Sequence, residues 1–298
     1  TEHGTPAQQA ISQHLRNQQP DEVPGLFIHA QLLLALAQND AVYGTVGTPP
    51  PFWGQWKESS GSAQDDEAAL HALKNTPLTS AQKDGLFADR FRYVRAFFDQ
   101  QEQTDLQVTA QDQLLYRLCR PERLLEIVQR FILFDAGEKK VARYQQYFAV
   151  KGTLARVKQL DQGHRPGGVI WHTQGSGKSL TMVLLAKAIA MEPTIRNARI
   201  VLVTDRIDLD DQLYGTFKSC DTEVEQARSG THLAELLHEP KARVITTLMQ
   251  KFEAVSKRGQ LVDDSPDIFV LVDESHRSQY GAGNARMMKV LPNACFLG

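Results

Sequence analysis

The sequence has 298 residues, of which 42% are hydrophobic, and this length accommodates about two domains. The formal net charge is −2, so the chain lacks the overall basic excess typical of nucleic-acid-binding proteins, although a local basic track is not excluded. Its three cysteines are far apart and show neither CxxC spacing nor a disulfide framework, which favours a reducing, cytoplasmic location. We find no signal peptide and no apolar run of transmembrane length, so we expect no membrane contact.

The first half of the chain is predicted to be mainly helical. Residues 1–20 are polar and rich in glutamine, and we interpret residues 1–23 as the tail of a preceding domain. Residues 61–67 are small, polar and acidic, which predicts a surface loop. Between residues 86 and 134, apolar side chains recur at three- and four-residue spacing, as they do in helices. We therefore expect residues 24–138 to form a mainly helical linker domain.

After Lys140 the pattern changes to short β-branched runs that alternate with helical segments. The runs predicted as strands are residues 169–171, 200–203, 244–245, 268–272 and, at the end of the chain, 294–298. Residues 180–190 read as a buried helix. Alternation of this kind is typical of a parallel sheet covered by helices. We expect an α/β fold in which residues 139–298 form the sheet domain.

The strongest motif is HTQGSGKS at residues 172–179, which lies between a predicted strand and a predicted helix. Gly175 and Gly177 allow the backbone N–H groups to converge on phosphates, and the helix N-terminus adds a positive dipole end. Lys178 is expected to reach the β- and γ-phosphates, and the Ser179 hydroxyl to ligate Mg²⁺. His172 departs from the general pattern, which has glycine there. The other loop residues expected to contact the nucleotide are Thr173, Gln174 and Ser176.

A second motif, IFVLVDESH at residues 268–276, is an apolar run that ends in two carboxylates. Strand carboxyl ends form the ligand crevice of an open α/β sheet. We expect Asp273 to hold Mg²⁺ and Glu274 to orient the attacking water. Each motif alone also fits an ordinary turn, either rich in glycine or acidic and solvated. Their occurrence together in this order favours an ATP site.

Three segments resemble type I restriction enzyme R subunits, which are superfamily 2 helicase-like translocases with RecA-like domains. The segments are VIWHTQGSGKSLTM at residues 169–182, DESHRSQYG at residues 273–281 and FWGQWKE at residues 52–58. Residues 273–276 also resemble the DExH box of that superfamily. The resemblance extends from residue 24 to the last residue, and its separated motifs agree in order.

The resemblance assigns further residues. It implies that Gln146 reads the adenine edge, that Arg143 lies near the base or the phosphates, and that His276 belongs to the ATP-coupling motif at the nucleotide site. Without the resemblance, a surface helix containing glutamines would be the favoured interpretation of residues 143–150. The residues that it places in two DNA-tracking motifs are Thr204, Asp205, Arg206, Thr246, Thr247 and Gln250. Strand ends and helix caps are nearly as good an explanation of these six residues.

The resemblance implies an ATP-dependent type I site-specific deoxyribonuclease that pulls double-stranded DNA and works with methylation and specificity subunits. R subunits of this family also contain nuclease carboxylates and a second RecA-like domain, which supplies an arginine finger. We find no counterpart of either in this sequence. We therefore expect the chain to be part of a longer protein. By itself it should bind ATP–Mg²⁺ weakly, hydrolyse it poorly and cut no DNA. The alternatives are a nucleotide-binding regulatory or scaffold module, and a superfamily 2 helicase outside restriction.

Overall fold

In the computed structural model the chain divides into two compact units, Thr1–Glu126 and Ile127–Gly298. The residues that the structure describes are 4–58, 63–88, 92–171, 173, 175–239, 241, 243–257, 264–273 and 282–298. The division falls twelve residues before the boundary expected at residues 138 and 139, because the strands after residue 131 belong to the second unit. No helix in the described ranges is both long enough and apolar enough to cross a membrane.

The first unit combines helices with a small antiparallel hairpin. Its elements are α1 (Pro6–Asn17), β1 (Leu33–Leu36), β2 (Ala41–Gly44), α2 (Ala63–Lys74), α3 (Ser80–Phe87), α4 (Arg92–Gln101), α5 (Ala110–Leu118) and the first part of α6 (Pro121–Arg130). The predicted loop over residues 61–67 is wrong for residues 63–67, which lie in α2. These residues include alanine, glutamine and glutamate, which favour helix, so the polar composition of the segment did not indicate a loop.

Helix α1 packs within this unit. Thr5 begins it with a capping box, in which the Thr5 hydroxyl accepts from Gln8 N and the Gln8 side chain accepts from Thr5 N. Ile11 then contacts a buried cluster that includes Leu33 of β1 and Trp53. Residues 1–23 and residues 24–126 therefore form one compact unit, and the interpretation of the first segment as the tail of a preceding domain stays a prediction.

The second unit contains a five-stranded sheet whose strands are parallel, as the sequence predicted, although the strand over Val224–Gln226 was not among the predicted ones. Its elements are β3 (Ile132–Asp135), β4 (Glu138–Val141), α7 (Tyr144–Val157), α8 (Lys178–Ala190), β5 (Arg199–Thr204), α9 (Ile207–Ser219), β6 (Val224–Gln226), α10 (Gly230–His238), β7 (Arg243–Leu248), α11 (Lys251–Lys257), β8 (Ile268–Val272), α12 (Ala282–Val290) and β9 (Cys295–Leu297). The strand order is β6-β7-β5-β8-β9, and every pair is parallel. The α/β fold class is confirmed.

The core of this sheet explains why its strands read as continuous apolar runs. All residues of β5 and β8 are buried, as expected for strands inside a parallel sheet. On one face, Val201, Ile245 and Val270 pack with Leu233 of α10 and Phe252 of α11. This packing holds the strands in place, and therefore also the positions at which the loops after them begin.

Two local expectations differ from the structure. Residues 132–134 were expected to continue a helix, but they belong to β3, which pairs with β4. Ala136 and Gly137 both have positive φ values, 50° and 84°, as a tight two-residue hairpin turn requires. Residues 169–171 do not form a regular strand.

The segment before the phosphate loop instead lies along β9. Gly168 N donates to Phe296 O at 3.0 Å, and Ile170 N donates to Gly298 O at 2.6 Å. A Cβ added at Gly167 would clash with the Phe296 carbonyl oxygen. Glycine at position 167 therefore allows this segment to approach the sheet edge closely.

Candidate nucleotide site and nucleic-acid loops

The loops that follow β5, β7 and β8 lie at one edge of the sheet, because the three strands are parallel and adjacent. In open α/β sheets this carboxyl edge is where ligands bind. The motifs predicted for the ATP site and for nucleic acid follow these strands or the edge segment beside β9.

The phosphate loop is held in shape by two glycines and one glutamine. Gly175 and Gly177 have φ values of 76° and 85°, which favour glycine, and α8 begins immediately afterwards. Gln146 is 5% exposed, and its Nε2 donates to Gly177 O at 3.1 Å. Its Oε1 accepts from Arg143 N at 2.9 Å. The structure therefore brings the predicted adenine-reading residues against the phosphate loop.

Gln146 keeps hydrogen-bonding capacity for a ligand. An amide nitrogen carries two hydrogens and an amide oxygen has two lone pairs, so the two observed bonds use half of each. The predicted contact with adenine is compatible with these bonds and stays a prediction. A Cβ added at Gly177 would lie 2.8 Å from Gln146 Nε2, so a larger residue at position 177 would make the Gln146 amide shift.

Lys178 and Asp273 meet at the centre of the candidate site. Lys178 Nζ lies 3.1 Å from Asp273 Oδ1, and the Asp273 side chain is 12% exposed. The backbone of Asp273 is fixed by its N–H, which donates to Val203 O at the end of β5 at 2.9 Å. The first residue of α8 and the first residue after β8 therefore face one another across 95 residues of sequence.

These residues fit a magnesium–nucleotide complex. Asp273 offers a carboxylate, and Ser179 follows Lys178 in the first turn of α8. Within the described residues there is no cluster of three or more histidine, cysteine or acidic side chains that could hold a metal. Mg²⁺ bound with a nucleotide needs only one or two protein oxygens, because phosphates and water complete its octahedron.

Three predicted nucleotide-site residues, Gln174, Glu274 and His276, lie outside the described residues, so their roles stay predictions. The two other loop residues lie as expected for a loop that opens to solvent. Thr173 is exposed, and its carbonyl accepts from Ser176 N at 3.2 Å.

Of the six predicted DNA-tracking residues, Asp205 is half-buried and the other five fall into two groups. The side chains of Thr204, Thr246 and Thr247 are at most 1% exposed, so their hydroxyls face the protein interior. Arg206 and Gln250 are exposed, and Arg206 pairs with Asp208 at 3.0 Å. The exposed residues are therefore the better candidates for a ligand contact.

The two predicted DNA loops are hydrogen-bonded to each other. Gln250 Nε2 donates to Asp205 O at 3.0 Å, and Met249 N donates to Thr204 O at 2.8 Å. Sequence reasoning missed these bonds, and it also missed the close approach of Gly167 to β9. The Gly-Gly pair at residues 167–168 was the available signal for a close backbone approach.

The fold and the site define an ATPase domain of the phosphate-loop class. The model of the SWI2/SNF2 ATPase family matches residues 145–298, which is more than half of the chain, so the protein belongs to this family. The matched range contains the whole parallel sheet and both nucleotide motifs.

Relatives with similar sequences are type I restriction endonuclease subunits, which confirms the resemblance found in the motifs. A putative MjaIXP subunit of Methanocaldococcus jannaschii is 31% identical over 283 residues, covering 93% of this chain and 25% of the relative. The HindI subunit of Haemophilus influenzae is 34% identical over 236 residues, which cover 70% of this chain and 22% of the relative. The chain thus spans about a quarter of the length of these relatives.

A solved structure of a nuclease-deletion mutant of the Type ISP restriction-modification enzyme LlaGI, in complex with a DNA substrate mimic, is also similar. Its sequence is 16% identical, the match covers 53% of this chain and 17% of the chain in that structure, and the TM-score is 0.37.

Proposed function

We propose that the protein is the ATP-hydrolysing, DNA-translocating subunit of a type I restriction-modification system. The proposal depends on the ion pair between Lys178 Nζ and Asp273 Oδ1, which are 3.1 Å apart, in a chain of the SWI2/SNF2 ATPase family. The names of its relatives support restriction as the setting. In this proposal residues 139–298 are the first RecA-like domain, residues 24–138 are a helical linker domain, and residues 1–23 are the tail of a nuclease domain.

The proposed chemistry is attack by water on the γ-phosphate of ATP. Lys178 neutralises charge on the β- and γ-phosphates, and the N–H groups of the loop from Gly175 onward donate to phosphate oxygens. Mg²⁺, held by Ser179 and Asp273, would neutralise further charge on the phosphates. Glu274 orients the attacking water. Lys178 must exchange Asp273 for phosphate when ATP binds, so Asp273 becomes available as a ligand at the same moment.

The proposed partners follow from the setting. Double-stranded DNA is the substrate that is moved, and methylation and specificity subunits select the site on it. The complex would work in the cytoplasm. Because DNA is moved regardless of its sequence, the protein should contact the sugar-phosphate backbone and leave base reading to its partners.

The test is ATP hydrolysis by the full-length protein, assembled with its partner subunits, with and without duplex DNA. We expect DNA to stimulate hydrolysis and Lys178→Ala to reduce the stimulated rate on the order of a hundredfold or more, as loss of a transition-state contact does. Lys241→Ala is the control, because Lys241 is exposed at the opposite edge of the sheet. It should retain the stimulated rate.

Other outcomes identify the alternatives. Nucleotide binding without DNA-dependent hydrolysis would contradict the motor and favour a regulatory or scaffold module. DNA-stimulated hydrolysis that the partner subunits do not change, with no cleavage of unmethylated DNA, would favour a helicase outside restriction.

A further inference from the structure

Three loops lie side by side at the carboxyl edge of the sheet. They follow the neighbouring strands β6, β7 and β5, and they comprise residues 227–229, 249–250 and 205–206. Neighbouring strands are about 4.8 Å apart, so the row extends over about 10 Å. This length is close to the rise of three nucleotides in one strand of a duplex, at about 3.4 Å each. The loop after β6 was not among the predicted contacts.

Side chains tie the three loops together. Gln250 and Lys251 are adjacent but reach in opposite directions: Gln250 Nε2 donates to Asp205 O, and Lys251 Nζ donates to Ala227 O. At Gly230 an added Cβ would clash with Ala254 of α11, so the loop after β6 also lies close to that helix. The three loops therefore form one surface of fixed spacing, which we call the tied-loop row.

Arg228 is the exposed cation of the loop after β6. Its backbone N–H donates to His232 Nδ1 at 3.2 Å, which fixes the backbone at this position. No carboxylate among the described residues lies within ion-pair distance of its guanidinium. At the other end of the row, the Arg206 guanidinium is also exposed. The row thus presents one arginine at each end.

We propose that Arg228 binds a backbone phosphate of nucleic acid in line with Arg206, and that Lys251 is a positioning residue that holds its loop. A guanidinium presents donors in a planar fork that matches phosphate oxygens, and a contact with phosphate carries no sequence information. The contact is therefore independent of sequence. This inference rests on the proposed function, because it requires that DNA follow this edge of the sheet.

The test is fluorescence anisotropy of two labelled duplexes of unrelated sequence with the full-length protein, over a range of salt concentrations. Arg228→Ala should weaken binding of both duplexes about fivefold to tenfold and lower the slope of log affinity against log salt by about 0.9. Arg196→Ala is the matched control, since Arg196 is an exposed arginine in the loop before β5, at the opposite edge. It should change neither quantity.

A double-mutant cycle tests the positioning role. Lys251→Met should weaken binding in the wild-type background but add little in the Arg228→Ala background, because Lys251 acts through the loop that carries Arg228. Fully additive effects would mean that Lys251 contacts DNA itself, which would overturn its positioning role. Thermal unfolding of each variant verifies that the weaker binding is not a loss of fold.

The failures are distinguishable. If the wild-type protein binds neither duplex, both the proposed function and this inference are wrong. If Arg206→Ala weakens binding while Arg228→Ala retains wild-type affinity and salt slope, only this inference is wrong.

Discussion

The two edges of the parallel sheet use arginine in opposite ways. At the amino edge three arginines are at least nine-tenths buried, and these are Arg165, Arg199 and Arg243. At the carboxyl edge Arg206 and Arg228 are exposed. The residue type alone therefore does not predict function, whereas burial and partners separate arginines that hold the fold from arginines that can hold a ligand.

The partners at the amino edge explain the burial. Arg165 donates to Asp267 Oδ1 at 2.9 and 2.7 Å and to Val157 O at 2.8 Å. Arg199 donates to Leu237 O at 2.6 Å. Buried charges are tolerated only when they are paired and hydrogen-bonded, so these arginines join helices to the base of the sheet. In the proposed function, nucleotide and nucleic acid bind at the other edge.

The largest effect on stability should come from the amino edge. Arg165→Ala would leave Asp267 without its buried partner, so we expect the free energy of unfolding to fall by about 3 kcal/mol. Arg206→Ala, at the exposed edge, should change it by less than about 0.5 kcal/mol. Urea denaturation of both variants provides the measurement. Equal losses of stability would remove the distinction between the edges.

A smaller effect, confined to the nucleotide, should come from Gly177→Ala. The positive φ value and the contact with Gln146 would both disfavour an added Cβ, so the loop should shift from its phosphate-binding shape. We expect the affinity for an ATP analogue with Mg²⁺ to fall about tenfold, measured by fluorescence titration. Gly175→Ala is the control, because its φ value is similar but the space around it is open. If Gly175→Ala weakens binding as strongly, the contact with Gln146 is not the cause.

The sequence predicted the parallel sheet because a buried parallel strand is apolar on both faces, and residues 200–203 and 268–272 show this directly. It also predicted that Lys178 and Asp273 share a site, since both motifs follow predicted strands. The pairing of β3 with β4 was missed because the turn is formed by Ala136 and Gly137, and not by the Asn-Gly or Asp-Gly pair that predicts a two-residue hairpin.

The sequence also did not predict which side chains at the strand ends are buried. Thr204 and Arg206 are two residues apart, yet the first side chain is buried and the second is exposed. Only the packing of α9 and the neighbouring strands decides between them. The same applies to Gln250 and Lys251, whose opposite directions depend on the loops on either side.

The central claim is that Lys178 and Asp273 form one catalytic unit at the carboxyl edge. The most direct test is a double-mutant cycle on DNA-stimulated ATP hydrolysis by the full-length protein, with Lys178→Ala, Asp273→Asn and both. Residues that act as a unit are strongly non-additive, so we predict that the double variant is no slower than the slower single variant. Losses that multiply, or a single variant with the wild-type rate, would contradict the account.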